Sequence, residues 1–267
     1  MEKLGEPIIE CRNLVCGYGD KVVLEDINLT IHRGEICALL GGSGSGKSTL
    51  MRTIVGLLPP LDGRVTIFGV NLHEMGEEER GPYLRRTGML FQYGALFGSR
   101  TNFENIALPL REHTKLPEPV IREMILQKLA LVGLEGLENR LPSDVSGGQR
   151  KRVALARATI LDPEVVFCDE PSAGLDPVVA AGLDSVLRRF QELFGMTMVV
   201  VTHELESIKV LADRVMMLAD GKLLAVGTVE EMYRSEIEEV YDFFHRVAPD
   251  YAEEGTAVLD TLEIERG

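Results

Sequence analysis

Apolar positions come in short, dense blocks at the start of the chain and shift to helical spacing further on. Ile8–Val15, Val22–Ile31 and Ile36–Leu40 are rich in β-branched and apolar residues and predict strands, with turns at Gly17–Asp20 and Arg33–Gly34. A Gly-rich turn then leads into Lys47–Leu57, a helix-forming stretch that Pro59 and Pro60 stop. Arg64–Phe68 predicts one more short strand. From Met75 to about Leu134 the pattern is mainly helical. Ile121, Met124, Ile125, Leu129 and Val132 share one helix face, which core packing explains. Beyond Ser146 the blocks alternate. Gly147–Ile160, Pro177–Phe194 and Leu205–Leu211 read as helices, and Val165–Cys168 and Met196–Thr202 as buried strands. Val215–Leu218 and Leu223–Val226 flank Asp220-Gly221, a hairpin-turn signal.

This alternation predicts an α/β fold with a mainly parallel sheet covered on both faces, an N-terminal antiparallel β region and an inserted helical lobe. The expected division is a core of residues 1–72 and 146–235, a helical lobe of 73–145 and a C-terminal extension of 236–267. In the extension, Ile237, Val240, Tyr241 and Phe244 follow helical spacing, and ten acidic residues stand against Arg246 and Arg266. A short amphipathic helix followed by a loosely ordered acidic tail fits this pattern, and so does a solvated tail with no role.

The chain has 267 residues, 45% of them hydrophobic, enough to bury a sizeable core. Its formal net charge of −14 repels nucleic-acid phosphates, so no nucleic-acid partner is expected. The one compact basic cluster, Arg150, Lys151 and Arg152, reads as a solvated helix face. Cys11, Cys16, Cys37 and Cys168 form no C-x-x-C pair, which argues against zinc. Cys37 and Cys168 lie in apolar runs and are expected to be buried thiols, fitting a reducing compartment. The opening MEKLGEPIIE lacks the features of a signal peptide. No apolar run approaches the roughly 18 residues that span a bilayer. The expected place is therefore the cytosol, with any membrane contact made through another protein.

Three motifs carry chemistry. GGSGSGKS, Gly41–Ser48, matches G-x-x-x-x-G-K-[ST] between an apolar strand and a helix, the context of a phosphate-binding P-loop. Gly41, Gly42, Ser43, Gly44, Ser45 and Gly46 let the backbone N–H groups curl around phosphate oxygens. The helix opened by Lys47, Ser48 and Thr49 points its positive end at the same phosphates. Lys47 brings charge to the β- and γ-phosphates, and Ser48 a hydroxyl to Mg²⁺. VVFCDE, Val165–Glu170, is a buried strand that delivers Asp169 for Mg²⁺ and Glu170 as a general base for water. VSGGQ, Val145–Gln149, opens a helix with Ser146 as N-cap, while Gly147 and Gly148 let a second phosphate approach. One nucleotide does not need two cradles in one chain. The second is expected to close on a nucleotide held by another subunit.

These residues resemble the ATP-binding-cassette family from about Ile8 to Ser235. VSGGQ is similar to the family signature, with Val145 in place of the usual Leu, and Gly42 stands where Pro is common. The resemblance implies further roles. Gln92 would be the Q-loop glutamine that contacts Mg²⁺ and water. Ser172–Asp176 would be the D-loop at a dimer interface. His203 would be the switch histidine at the γ-phosphate, and Tyr18 the aromatic that stacks on adenine. It implies ATP and Mg²⁺ as cofactors, a homodimer of ATPase subunits and membrane permease subunits. The ATPase would then lie peripherally on the cytoplasmic face of the inner membrane.

A finer resemblance runs from Met89 to Pro117, where MLFQYGALF and PLREHTKLP are similar to the ATPases of Mla/Mce-type lipid transporters. It implies phospholipid or another hydrophobic cargo, a Mce-domain lipid-binding protein and, in some members, a small STAS-domain regulator. Tyr93, Leu96, Phe97 and Phe103 are candidates for an apolar cleft that takes a permease helix, with Arg111 and Glu112 at its rim. Other readings are a cassette ATPase for a different cargo such as an amino acid, a soluble cassette of DNA repair or translation, and a module that senses ATP without hydrolysing it. The acidic charge and the lack of a coiled-coil insertion or second cassette weigh against the second. The pair Glu170 and His203 weighs against the third.

Overall fold

The computed structural model describes residues 5–247, so the expected acidic tail lies largely outside the described residues. Strands β1 (Pro7–Tyr18) and β2 (Lys21–His32) form an antiparallel pair joined at Gly19-Asp20. After β3 (Ile36–Leu40) and α1 (Lys47–Ile54), β4 (Asp62–Ile67) returns to pair with β1. A three-stranded antiparallel sheet of order β2-β1-β4 results. The first helix stops at Ile54, short of the expected Leu57, because Gly56 turns the chain at φ +83°.

Next come α2 (Glu77–Leu84), β5 (Thr87–Leu90), α3 (Asn102–His113) and α4 (Glu118–Leu131). Three residues of α2's first turn are acidic, matching the positive end of its backbone dipole. Then follow α5 (Gly147–Ala158), β6 (Val165–Asp169), α6 (Pro177–Phe194), β7 (Thr197–Val201) and α7 (Leu205–Leu211). The chain continues through β8 (Arg214–Ala219), β9 (Lys222–Gly227), α8 (Val229–Tyr233) and α9 (Glu238–His245). The second sheet has six strands in the order β5-β6-β7-β3-β8-β9, parallel except for β9. The span 73–145 is thus not purely helical, since β5 within it is the edge strand beside β6.

Side-chain alternation along the central strands divides the core. Cys37, Leu39, Val165, Phe167, Val199 and Val201 face the three-stranded sheet and α1. Ile36, Val166, Cys168, Met198 and Val200 face the layer of α3, α4, α5 and α6. The stripe Ile121, Ile125, Leu129 and Val132 packs in that layer, and Met124 lies half-buried at its margin. Burying a side chain such as Phe167 is worth about 1.5–3 kcal/mol. All four cysteines are free and buried. Burial pushes the Cys168 thiol up to about 12, which leaves it inert. In α9, Val240 and Phe244 are buried as the spacing predicts, but Ile237 and Tyr241 of the same expected stripe are exposed. Phe244 meets Tyr233 of α8 edge-on at 5.0 Å between ring centroids. Among the described residues no helix is long and apolar enough to cross a membrane.

Candidate functional site

Register brings the motifs together. Asp169 lies opposite Val201, and Val201 opposite Leu39, so β6, β7 and β3 end in one row. The loop after β3, the acids ending β6 and His203 just beyond β7 therefore emerge from the same edge of the sheet. This is the carboxyl-end edge where parallel sheets place ligands.

The loop Gly41–Ser48 folds as a nest. Gly41 holds φ +147°, and a Cβ there would run into the Leu218 carbonyl and the Ser45 hydroxyl. Beside Gly42 there is open space. Lys47 Nζ donates to the carbonyls of Gly41 at 2.9 Å and Gly42 at 2.8 Å. Burial lowers the pKa of this ammonium, and the charges of Glu170 and Asp169 oppose the shift. Tyr18 ends β1 half-exposed, and its hydroxyl accepts from Arg52 of α1 at 3.1 Å. That contact places its ring beside the helix that opens with Lys47, Ser48 and Thr49.

Glu170 occupies a left-handed backbone conformation with φ +46°. Its N–H donates to the Val201 carbonyl at 2.8 Å, and the backbone cost of this conformation is about 1–3 kcal/mol. His203 Nδ1 lies 2.9 Å from Glu170 Oε1. The other carboxylate oxygen, Oε2, is buried and without a hydrogen-bond partner among the described residues. An unpartnered buried acceptor calls for a ligand or a water. Burial pushes the Asp169 carboxyl above its ordinary range, and the Glu170 charge adds to this. No cluster of three His, Cys, Asp or Glu that could hold a metal occurs among the described residues. The hydroxyl of Ser48, the amide of Gln92 and the carboxylate of Asp169 would offer a sparse, hard oxygen set. It fits Mg²⁺, which keeps waters and phosphate oxygens for its remaining positions.

The signature loop is built differently. Ser146 caps α5 by accepting from Gln149 N at 3.3 Å, while Gln149 Oε1 accepts from Ser146 N at 2.9 Å. Gly148 is buried against α6, and a Cβ there would strike Val179. The principal packing partners of α5 are α3, β5, α6 and α4. Asp176, ending SAGLD, caps α6 by accepting from Val178 N and Val179 N. Ser172 at the start of that loop is fully buried.

The expected solvated face at Arg150, Lys151 and Arg152 is corrected. Arg150 is exposed, but Lys151 is only 7% exposed and donates to the carbonyls of Gln92 and Glu170. Lys151 shares a face with buried Gly148 and Leu155, at spacings of three and four, and that spacing could have revealed it. Arg157 of the same helix donates to Gly94 and Ala95 at 2.8 Å each. Of the four apolar candidates after Gln92, Tyr93 is 90% exposed and Phe97 is exposed. Leu96 and Phe103 instead pack, half-buried, on the helical layer. Asn105 holds the loop by donating to the carbonyls of Phe97, Arg100 and Thr101.

A P-loop, an acidic strand end and a histidine on one sheet edge define a nucleotide-hydrolysing P-loop ATPase. The family model for ABC transporters matches residues 24–173. The chain is 40% identical over 240 residues to the intermembrane phospholipid transport system ATP-binding protein MlaF of Haemophilus influenzae, covering 90% of this chain and 91% of that protein. The Escherichia coli K12 protein of the same name is 36% identical over 248 residues, covering 93% and 92%. The probable ribonucleotide transport ATP-binding protein mkl of Mycobacterium tuberculosis H37Rv is 41% identical over 243 residues, covering 90% of this chain and 68% of that one. Among solved structures, cbiO1 of Clostridium perfringens, part of the ABC transporter complex cbiONQ, superposes with a TM-score of 0.80 at 30% identity, covering 91% and 96%. A dimeric cassette in a post-hydrolysis state with ADP and Pi superposes with a TM-score of 0.76 at 30% identity, covering 83% and 99%. The chain belongs to the ABC transporter family and is an ATP-hydrolysing subunit of that family.

Proposed function

We propose that this ATPase energises the movement of phospholipid or a similar hydrophobic molecule through a membrane permease, working as a dimer with two shared nucleotide sites. The observation that carries the ATPase chemistry is the convergence of Lys47, Asp169, Glu170 and His203 on one sheet edge. The cargo reading is supported by the similarity to MlaF, which spans nine-tenths of both chains.

Position and family resemblance together support these roles. Gly41–Thr49 cradle the phosphates, Lys47 leaves its carbonyl contacts to meet the β- and γ-oxygens, and Tyr18 stacks on the base. Ser48, Asp169 and Gln92 would hold Mg²⁺, which when bound would neutralise charge developing on the phosphates. Glu170 accepts a proton from water as that oxygen bonds to the γ-phosphorus and the bridge to the β-phosphate breaks. The products are ADP and phosphate. His203 holds the Glu170 carboxylate in line through its bond to Oε1. Ser146, Gly147, Gly148 and Gln149 close on the γ-phosphate held by the other copy.

The permease docks over the loop after Gln92, with Tyr93 and Phe97 as contacts. Beside it a groove of about 450 Å³ is lined by Leu84, Phe91, Leu108 and His113 among others. The ATPase then lies peripherally on the cytoplasmic face of the inner membrane. A Mce-domain lipid-binding protein and a STAS-domain regulator belong to the same reading. Tyr93→Asp is the clean probe, because Leu96 packs in the helical layer and Tyr93 does not. It should abolish co-purification with the permease while leaving ATP binding intact. For the cargo, the purified transporter should carry phospholipid by mass spectrometry, and lipid should stimulate its ATPase. The mycobacterial relatives favour a second reading, in which the cargo is a ribonucleotide. Stimulation by ribonucleotide and none by lipid would replace the lipid assignment.

A further inference from the structure

Among the described residues, Lys151 is a buried cation that bonds to no carboxylate. Its ammonium donates to two backbone carbonyls, those of Gln92 and Glu170, the second at 3.1 Å. These belong to separate segments, the loop after β5 and the left-handed turn after β6. In the reading above both segments carry a residue of the nucleotide site, Gln92 and Glu170, and Lys151 joins them to a third element, α5. The N-terminus of α5 is the signature, Ser146–Gln149. Arg157, further along α5, fixes Gly94 and Ala95 in the same loop. Residues 92, 94 and 95 are therefore all anchored on one helix, whose N-terminal end carries the signature.

The ion does not belong here for stability alone. Burying an ammonium against carbonyl dipoles costs desolvation that these bonds only partly offset, and apolar groups of similar size often fill such places without loss. Burial lowers the Lys151 pKa, while Glu170 and Asp169 pull the other way.

We propose that Lys151 is a positioning residue that couples the two halves of the dimer: seating the signature helix on the partner's nucleotide sets the backbone of Gln92 and Glu170, and so aligns the catalytic carboxylate of its own chain. Hydrolysis at one site then depends on the state of the other. This rests on the shared-site reading above. The movement required is small. Misplacing a catalytic group by about 1 Å costs roughly 100-fold.

The test uses the full chain with Lys151→Met, which keeps the volume and removes the donors, and Lys151→Gln, whose amide can still donate to two carbonyls. The Met variant should melt no earlier than wild type and keep its KM for MgATP within about twofold, while kcat falls by about 10- to 100-fold. The Gln variant should recover most of that loss. Wild-type turnover in the Met variant overturns the proposal. So does a Met variant that melts early or fails to fold, because Lys151 is then a residue of stability. The shared-site reading is checked apart from this, by MgATP-dependent dimerisation of Glu170→Gln with Lys151 intact. If that dimer fails to form, the reading beneath the proposal has failed; if it forms and Lys151→Met turns over normally, only the proposal has.

Discussion

The P-loop and the signature loop both present glycines at a helix N-terminus, but they are held in different ways. The P-loop is closed on itself. Gly41 takes a conformation that a side chain would block, and Lys47 bonds to carbonyls of its own loop. The signature is an ordinary capped helix end, with Ser146 and Gln149 satisfying each other. Gly148 is explained within the chain by its contact with Val179. One region is closed on itself by bonds within its own loop, and the other is an open helix end, which the shared-site reading completes from a second copy.

Variants in the nest's own catalytic edge should have the largest effect. Glu170→Gln should lower kcat by about 10²–10⁴-fold, as loss of a general base does, while binding MgATP and accumulating a closed dimer on size-exclusion chromatography. Wild-type turnover would remove Glu170 from the role. Lys47→Ala should act on binding itself, because the polyphosphate loses its main charge partner. Calorimetry should show a weakened ATP affinity; an unchanged affinity would break the contrast between the two loops.

Much of this contrast was legible in the sequence, for a physical reason. A P-loop, an acid pair ending an apolar strand and a histidine after the next strand each follow from local chain geometry. Register then aligns Asp169, Val201 and Leu39 without further information. Lys151 was misread because residue type alone gives no orientation. Three basic residues in a row look like a solvated face, yet a helix turns one of them inward. The four candidates for the expected apolar cleft divide for the same reason: Tyr93 and Phe97 face out while Leu96 and Phe103 pack inward. The left-handed turn at Glu170 left no trace in residue type.

Smaller effects sharpen the comparison. Ser146→Ala should cost about 1 kcal/mol of stability through the lost cap, measurable by denaturant unfolding. The ATP affinity of the isolated chain should stay unchanged, because its own P-loop is untouched. A large affinity loss would mean that the two loops share a nucleotide within one chain.

The smallest effect concerns α6, which carries the Asp176 cap at its start and buried Asp184 further along. Burial raises the Asp184 carboxyl above its ordinary range; a bond with Ser207 opposes this, and the Glu204 charge adds to it. The folded chain therefore binds this proton more tightly than the unfolded chain. Its stabilising contribution is full below the ordinary carboxylate pKa of about 3.9 and is lost as pH rises through the folded value. Asp184→Asn should accordingly raise the melting temperature at pH 7 more than at pH 4. Equal shifts at both would show that the carboxyl titrates normally.

The central claim is that each nucleotide lies between the P-loop of one copy and the signature of the other. Its most direct measurement is ATP-dependent association in a Glu170→Gln background, with one chain carrying Lys47→Ala and the other Ser146→Arg under different tags. Neither variant can build an intact site with itself. Mixed together they form one, from the sound P-loop of the second and the sound signature of the first. The account predicts that MgATP drives the two chains to co-purify with one trapped ATP per pair, while each alone stays monomeric. Mixed chains that associate no better than either variant alone would contradict it.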